Sequence, residues 1–181
     1  MKPVKNNIDN YKETKDNSLL FLIISVLALF IGVCSTLVFF AYTLIDFYSL
    51  SKFIIGFTVI GFIIPLKIYQ KWFNFIKYEM IIFNIIGVGP FLTGLFLCIN
   101  FLISFNPTTH KYRIEQLYVE GENNTQYLGL ILEGNTFSGE KKITEINDIN
   151  TNEILGKPFL KLTIAEGFFG YDVIKEKKFV K

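Results

Sequence analysis

The sequence predicts three transmembrane helices followed by a small C-terminal all-β or α+β antiparallel domain, and three observations carry that prediction. Asn17 to Ile45 holds no charged residue over 29 positions, and Met80 to Phe105 holds none over 26. Between them, Phe53 to Leu66 is a third uncharged apolar stretch. After Asn106 the pattern changes to short alternating segments separated by turn residues, as strands of a soluble domain require. The chain is 51% hydrophobic and only 19% charged, with a mean hydropathy of +0.40, so the apolar excess is concentrated before Asn106.

The expected organisation is a flexible tail over 1–17, a membrane region over 18–105 with spans near 19–41, 53–69 and 81–105, and a soluble β-rich domain over 106–181. The tail interleaves Lys2, Lys5, Lys12 and Lys15 with Asp9, Glu13 and Asp16. It offers too little apolar surface to offset the entropy of ordering. Leu19 to Ala41 is 23 residues, about 34 Å of helix against a hydrocarbon core of about 30 Å. A cleaved signal peptide has a shorter hydrophobic core and a small-residue exit, so this run is expected to stay in the membrane. Ser25, Ala28, Gly32, Ser35 and Thr36 share one face, a small-residue stripe suited to close packing against another helix.

The second stretch has only 14 strictly uncharged residues. It is expected to span by extending through Pro65 to Tyr69, with Lys67 snorkelling. Next comes KIYQKWFNFIKYEM. There Lys67, Tyr69, Lys71, Trp72, Lys77 and Tyr78 have the mixture of cations and rings that anchors a chain at a membrane boundary. Wedged between apolar runs, they are read as lipid-facing anchors and not as a nucleic-acid platform. The third stretch carries Gly87, Gly89, Pro90 and Gly94 in its first half, predicting a bend and close helix contacts, with Gly87 and Gly94 as packing residues.

Asn106-Pro107 is expected to stop the third helix. Beyond it, Lys111 to Val119, Tyr127 to Leu132, Phe159 to Ala165 and Phe169 to Lys175 read as strands of a small antiparallel sheet or barrel. Lys141 to Leu155 fits either a short helix or an irregular strand. Gly121 to Asn124 and Gly167 to Gly170 read as turns. The motif Gly167-Phe168-Phe169-Gly170-Tyr171 is expected to be a tight hairpin whose rings enter the core.

Lysine and arginine distribution sets the expected orientation. With three spans, the tail and the second loop place seven such residues on one side, against three (Lys52, Lys111, Arg113) on the other. The N-terminus is therefore expected in the cytoplasm and the C-terminal domain outside, in a multi-pass protein of a bacterial cytoplasmic membrane.

The chemistry of known reactions is absent from the sequence. His110 is the sole histidine, and Cys34 and Cys98 both lie in apolar stretches, so a Ser-His-Asp, Cys-His or zinc arrangement has no material. No phosphate-binding glycine motif is present. The pairs Glu120/Glu122 and Glu140/Glu145 fall in turn-like, solvated segments. Basic residues form no stripe, so nucleic acid is not an expected partner. No cofactor is implied. The apolar cores carry no ionisable residue, although proton and ion pathways ordinarily need one. The expected function is that of a non-catalytic accessory or interaction protein, with the lipid bilayer and a protein bound through residues 106–181 as partners. The alternative is a subunit of a transport or channel assembly.

Overall fold

The computed structural model describes residues 7–73, 77–120, 127–135, 141–146 and 156–181. Two compact units emerge, each with its own packing. A helical unit comprises residues 1–39 and 46–98, and a β unit comprises residues 40–45 and 99–181.

Helix α1 runs from Asn7 to Tyr42. The expected tail is thus helical from Asn7 onward, and residues 1–6 lie outside the described residues. Once the apolar part has nucleated, each further residue adds one hydrogen bond without a new nucleation cost, so the helix propagates back into polar sequence. Helix α2 (Phe47–Ile63) starts six residues before the apolar stretch because Asp46 caps it, accepting from Ser49 N–H at 2.8 Å. It ends at Ile63, and Ile64 is extended with ψ 120. Pro65 enforces this by excluding helical geometry from the residue before it.

The expectation of three transmembrane helices is corrected here. Two helices, Leu22–Tyr42 and the continuous run Lys77–Leu102, are long and apolar enough to cross a membrane. Helix α2 is a shorter apolar helix of 17 residues, about 25 Å at 1.5 Å per residue and short of the hydrocarbon thickness. Its expected extension to Tyr69 fails at Pro65, and a separate helix α3 (Leu66–Phe73) begins there.

The run Lys77–Leu102 consists of α4 (Lys77–Ile82), a π-helical segment (Phe83–Val88) and α5 (Gly89–Leu102). The wider turn falls just before Gly89-Pro90, where proline cannot donate to the regular ladder. Within the helical unit α1 runs parallel to this stretch. Ser25 and Leu29 face Ile82 and Ile86, Gly32 meets Phe91, and Ser35 meets Gly94. Helix α2 runs antiparallel to the same stretch, with Gly61 at Asn84, Thr58 at Gly89 and Phe53 stacked on Phe96 at 4.6 Å.

The β unit is an open antiparallel sheet and not a barrel, in the order β3-β2-β1-β4-β5. Four full strands are β1 (Ser104–Glu120), β2 (Tyr127–Leu132), β4 (Phe159–Gly167) and β5 (Val173–Val180). The edge strand β3 (Glu145–Ile146) has two residues and follows the single-turn helix α6 (Lys141–Thr144). The ambiguous segment is therefore both helix and strand up to Ile146, while 147–155 lie outside the described residues, as do the expected turn at 121–124 and Glu140. Asn106-Pro107 does not end the helix. Helix α5 has already finished at Leu102, and Asn106 (φ 49) and Pro107 form a bulge within β1, a position where a strand tolerates proline. The last strand begins four residues later than expected. Tyr112, Leu130, Leu160, Leu162, Ile164, Ile174 and Phe179 form the core on one sheet face, with Ile143 beside them.

The close approach of α1 and α5 depends on glycine. A Cβ at Gly32 would stand 2.7 Å from the backbone of Phe91, which cannot yield, and one at Gly94 would collide with Ser35 Oγ. Thr36 Oγ1 donates to Pro90 O at 3.0 Å across the same contact. Gly32→Val is expected to destabilise the helical unit by about 2 kcal/mol or more, whereas Gly56→Ala, which meets nothing within 4 Å, should not. Denaturant unfolding in detergent followed by circular dichroism checks both.

Candidate functional site

In the helical unit, the sequence-expected packing residues Gly32 and Gly94 form the contact just described. Ala28 is half-buried on the same helix, and Gly87 is buried in the π-helical segment with the Phe83 ring 3.1 Å from where its Cβ would be. Among the expected membrane anchors, Lys67, Lys71, Lys77 and Tyr78 are exposed, and the side chain of Trp72 lies outside the described residues. Tyr69 takes another position. It is buried, with its hydroxyl 3.1 Å from Gly61 O and 2.9 Å from Asn84 Oδ1. One phenolic proton serves one acceptor. If the Asn84 amide turns Nδ2 towards Tyr69, the hydroxyl accepts from it and donates to Gly61 O, and the otherwise unpartnered Nδ2 is satisfied. Sequence reasoning missed this pair because ring-and-lysine composition alone does not say which ring turns inward.

Nearby, an apolar cavity of about 240 Å³ lies between α1 and the α4/π-helical run. Ser25, Leu29, Ile82 and Phe83 line it, with Glu79 among them. The Ser25 hydroxyl is buried without a hydrogen-bond partner.

The β unit holds the denser polar chemistry. Lys142 on α6 donates to Thr43 O and Ile45 O, both at 2.7 Å, and its ammonium sits 3.5 Å from the centre of the Phe40 ring. A cation here serves the carbonyls just past the end of α1, where the helix dipole is negative. Lys177 points to the core face of β5 because its register partner there is Leu162. Its ammonium donates to Glu145 O at 2.8 Å and to Lys142 O at 3.4 Å. Burial pulls its pKa down to about 8, and the Glu145 charge opposes that shift. Asn100, fully buried in the last turn of α5, is the second tie. Its Nδ2 donates to Tyr171 O at 2.9 Å and its Oδ1 accepts from Phe169 N–H at 2.8 Å.

The opposite face of the sheet is open and basic. Lys111, Lys161 and Lys178 are direct cross-strand neighbours on β1, β4 and β5, and Arg113 lies one pleat further along β1. Lys161 stands 4.0 Å from Glu176, and Lys111 lies over the Phe159 ring at 4.1 Å. Directly opposed like charges repel across a sheet, and Glu176 and the Phe159 ring offset part of that repulsion in this row.

No family model, curated protein or solved structure matches this chain. His110 is half-buried, stacked on Tyr112 at 6.0 Å, with Nε2 3.3 Å from Thr108 Oγ1. Cys34 and Cys98 lie on α1 and α5. Among the described residues no three His, Cys, Asp or Glu side chains gather as a metal ion would require. Glu120 and Glu145 fall at a strand end and on β3, and Glu122 lies outside the described residues.

Two outcomes follow for the lysine pair. Lys177 has a folded pKa near 8, against about 10.4 when unfolded. The unfolded chain therefore binds more protons between these values, and the cost of burying the charge is fully present below pH 8. Denaturant midpoints of the β unit should rise as pH goes from 8 towards 10, and Lys177→Met should abolish that rise. Lys142→Met removes the ammonium from Thr43 O, which keeps the Ile45 N–H at 2.8 Å, and from Ile45 O, and is expected to cost about 2 kcal/mol in the same measurement.

Proposed function

We propose that the protein is a non-catalytic accessory protein of a bacterial cytoplasmic membrane, held there by α1 and the run Lys77–Leu102, whose β unit recruits an acidic partner protein on the outer side. The observation that carries this reading is the open sheet face with Lys111, Lys161 and Lys178 in one cross-strand row. Like charges in direct cross-strand register repel, and an acidic surface would add counter-charge to that of Glu176.

Orientation rests on charge and on helix direction. The two long helices run parallel and the shorter α2, antiparallel to the second of them, returns the chain between them, so both would enter the bilayer from the end that carries the N-terminal lysines and Lys67, Lys71 and Lys77. That end is the cytoplasmic one by the positive-inside bias. A transport or channel subunit is the weaker reading. The hydroxyls of Thr36, Ser51, Thr58 and Thr93 all donate to helix carbonyls, which engages them within the helices.

Mild-detergent purification after crosslinking tests the proposal. The full chain should carry a partner that dissociates as salt is raised, since a contact made by exposed charges is screened, and the triple variant Lys111→Glu, Lys161→Glu, Lys178→Glu should lose it. Recovery of the monomer alone, or a partner retained by the triple variant, overturns it.

A further inference from the structure

The turn between β4 and β5 was expected to bury its rings, and it does the opposite. Phe168 is 53% exposed and Phe169 42%, packed edge to face at 5.0 Å. The turn is tightly made. Gly170 N–H donates to Gly167 O at 2.8 Å, Gly170 has φ +82, and a Cβ at Gly167 would collide with the Asn100 side chain and with Tyr171 O. Both aromatic rings are therefore held out by a backbone that has little freedom to withdraw them.

The position of this turn in the fold gives the exposure its meaning. Asn100 binds the turn backbone at Phe169 N–H and Tyr171 O, and Asn100 belongs to the last turn of α5. Ser104, two residues after α5 ends, pairs with Gly167, and Phe105 pairs with Glu166. The exposed Leu102 (68%), Ile103 and Phe105 (51%) thus belong to the segment whose backbone pairs with the residues leading into the turn. On the side of α1, Leu44 N–H donates to Asp172 O at 2.7 Å and Thr43 bridges to Val173. The aromatic turn is bound to the ends of both long helices.

Five exposed large apolar side chains at the point where a membrane helix ends fit one environment. The interfacial layer of a bilayer accepts aromatic rings and apolar side chains while the adjoining backbone remains hydrated. We propose that the β4–β5 turn inserts Phe168 and Phe169 into the interfacial layer of the bilayer beside the exit of α5. The sheet then holds to the lipid surface by its own residues in addition to the helix ends. Asp172 and Glu166 flank the turn, so their carboxylates suit an uncharged lipid surface better than an anionic one.

The inference rests on the reading of α5 as membrane-crossing, and the test separates the two. The natural Trp72 is replaced by Phe, and single tryptophans are placed at Phe168, at Phe169 and, as a reference on an exposed face of α5, at Leu95. Each protein is reconstituted into phosphatidylcholine vesicles with bromine either near the ester groups or deep in the acyl chains. Leu95→Trp should be quenched by deep bromine. Phe168→Trp and Phe169→Trp should show blue-shifted emission quenched most by shallow bromine. Water-like, unquenched emission at both turn positions with a quenched Leu95→Trp overturns the inference and leaves the membrane reading intact. An unquenched Leu95→Trp overturns both.

Discussion

The ends of a helix and the residues just past them carry backbone groups with no partner in the helix itself, and the β unit is tied to such residues at two helix ends. Past α1, the carbonyls of Thr43 and Ile45 receive Lys142, and the Leu44 amide is taken by Asp172 O. At α5, Lys175 Nζ reaches Phe101 O, and Asn100 binds the turn between β4 and β5. Residues 40–45 and 99–103 are therefore part of the compact β unit, which extends beyond the soluble segment that composition marks out. A sheet of four full strands with one open face buries little apolar surface for its size, and these ties supply what a second layer would otherwise contribute.

The same economy holds in the helical unit. Several of its polar side chains bond within the protein. Tyr69 and Asn84 form a chain to Gly61, and the threonines bond to helix carbonyls. In an apolar medium each such group has to find an internal partner, and small residues at Gly32 and Gly94 let the backbones come close enough to provide it. Lys111 and Lys178 on the outer sheet face and the rings of the β4–β5 turn are, by contrast, exposed.

Much of this was legible in the sequence, and the failures are instructive. Uncharged runs located α1 and the run ending at Leu102, because length and apolarity alone define such helices. Alternation located β2 and β4 closely. It misplaced β5, since Phe169 to Lys175 alternates as well as Val173 to Val180 does, and only the pairing with β4 decides between them. Two prolines were read in reverse. Pro65 was credited with little effect and ends α2, while Pro107 was credited with ending a helix and sits in a strand bulge. Proline excludes regular structure at its neighbour, yet the sequence does not say which structure is being excluded. The ties made by Lys142 and Asn100 join residues 70 to nearly 100 positions apart, and no local pattern encodes such a contact.

The central claim is that the β unit depends on the two helix ends. Amide hydrogen exchange of β4 and β5 in the full chain, compared with that in a chain of residues 104–181 alone, tests it most directly. The account predicts that the amides of Leu160 to Ile164 and Val173 to Phe179, slow to exchange in the full chain, lose their protection in the shorter one. Equal protection in both would contradict it.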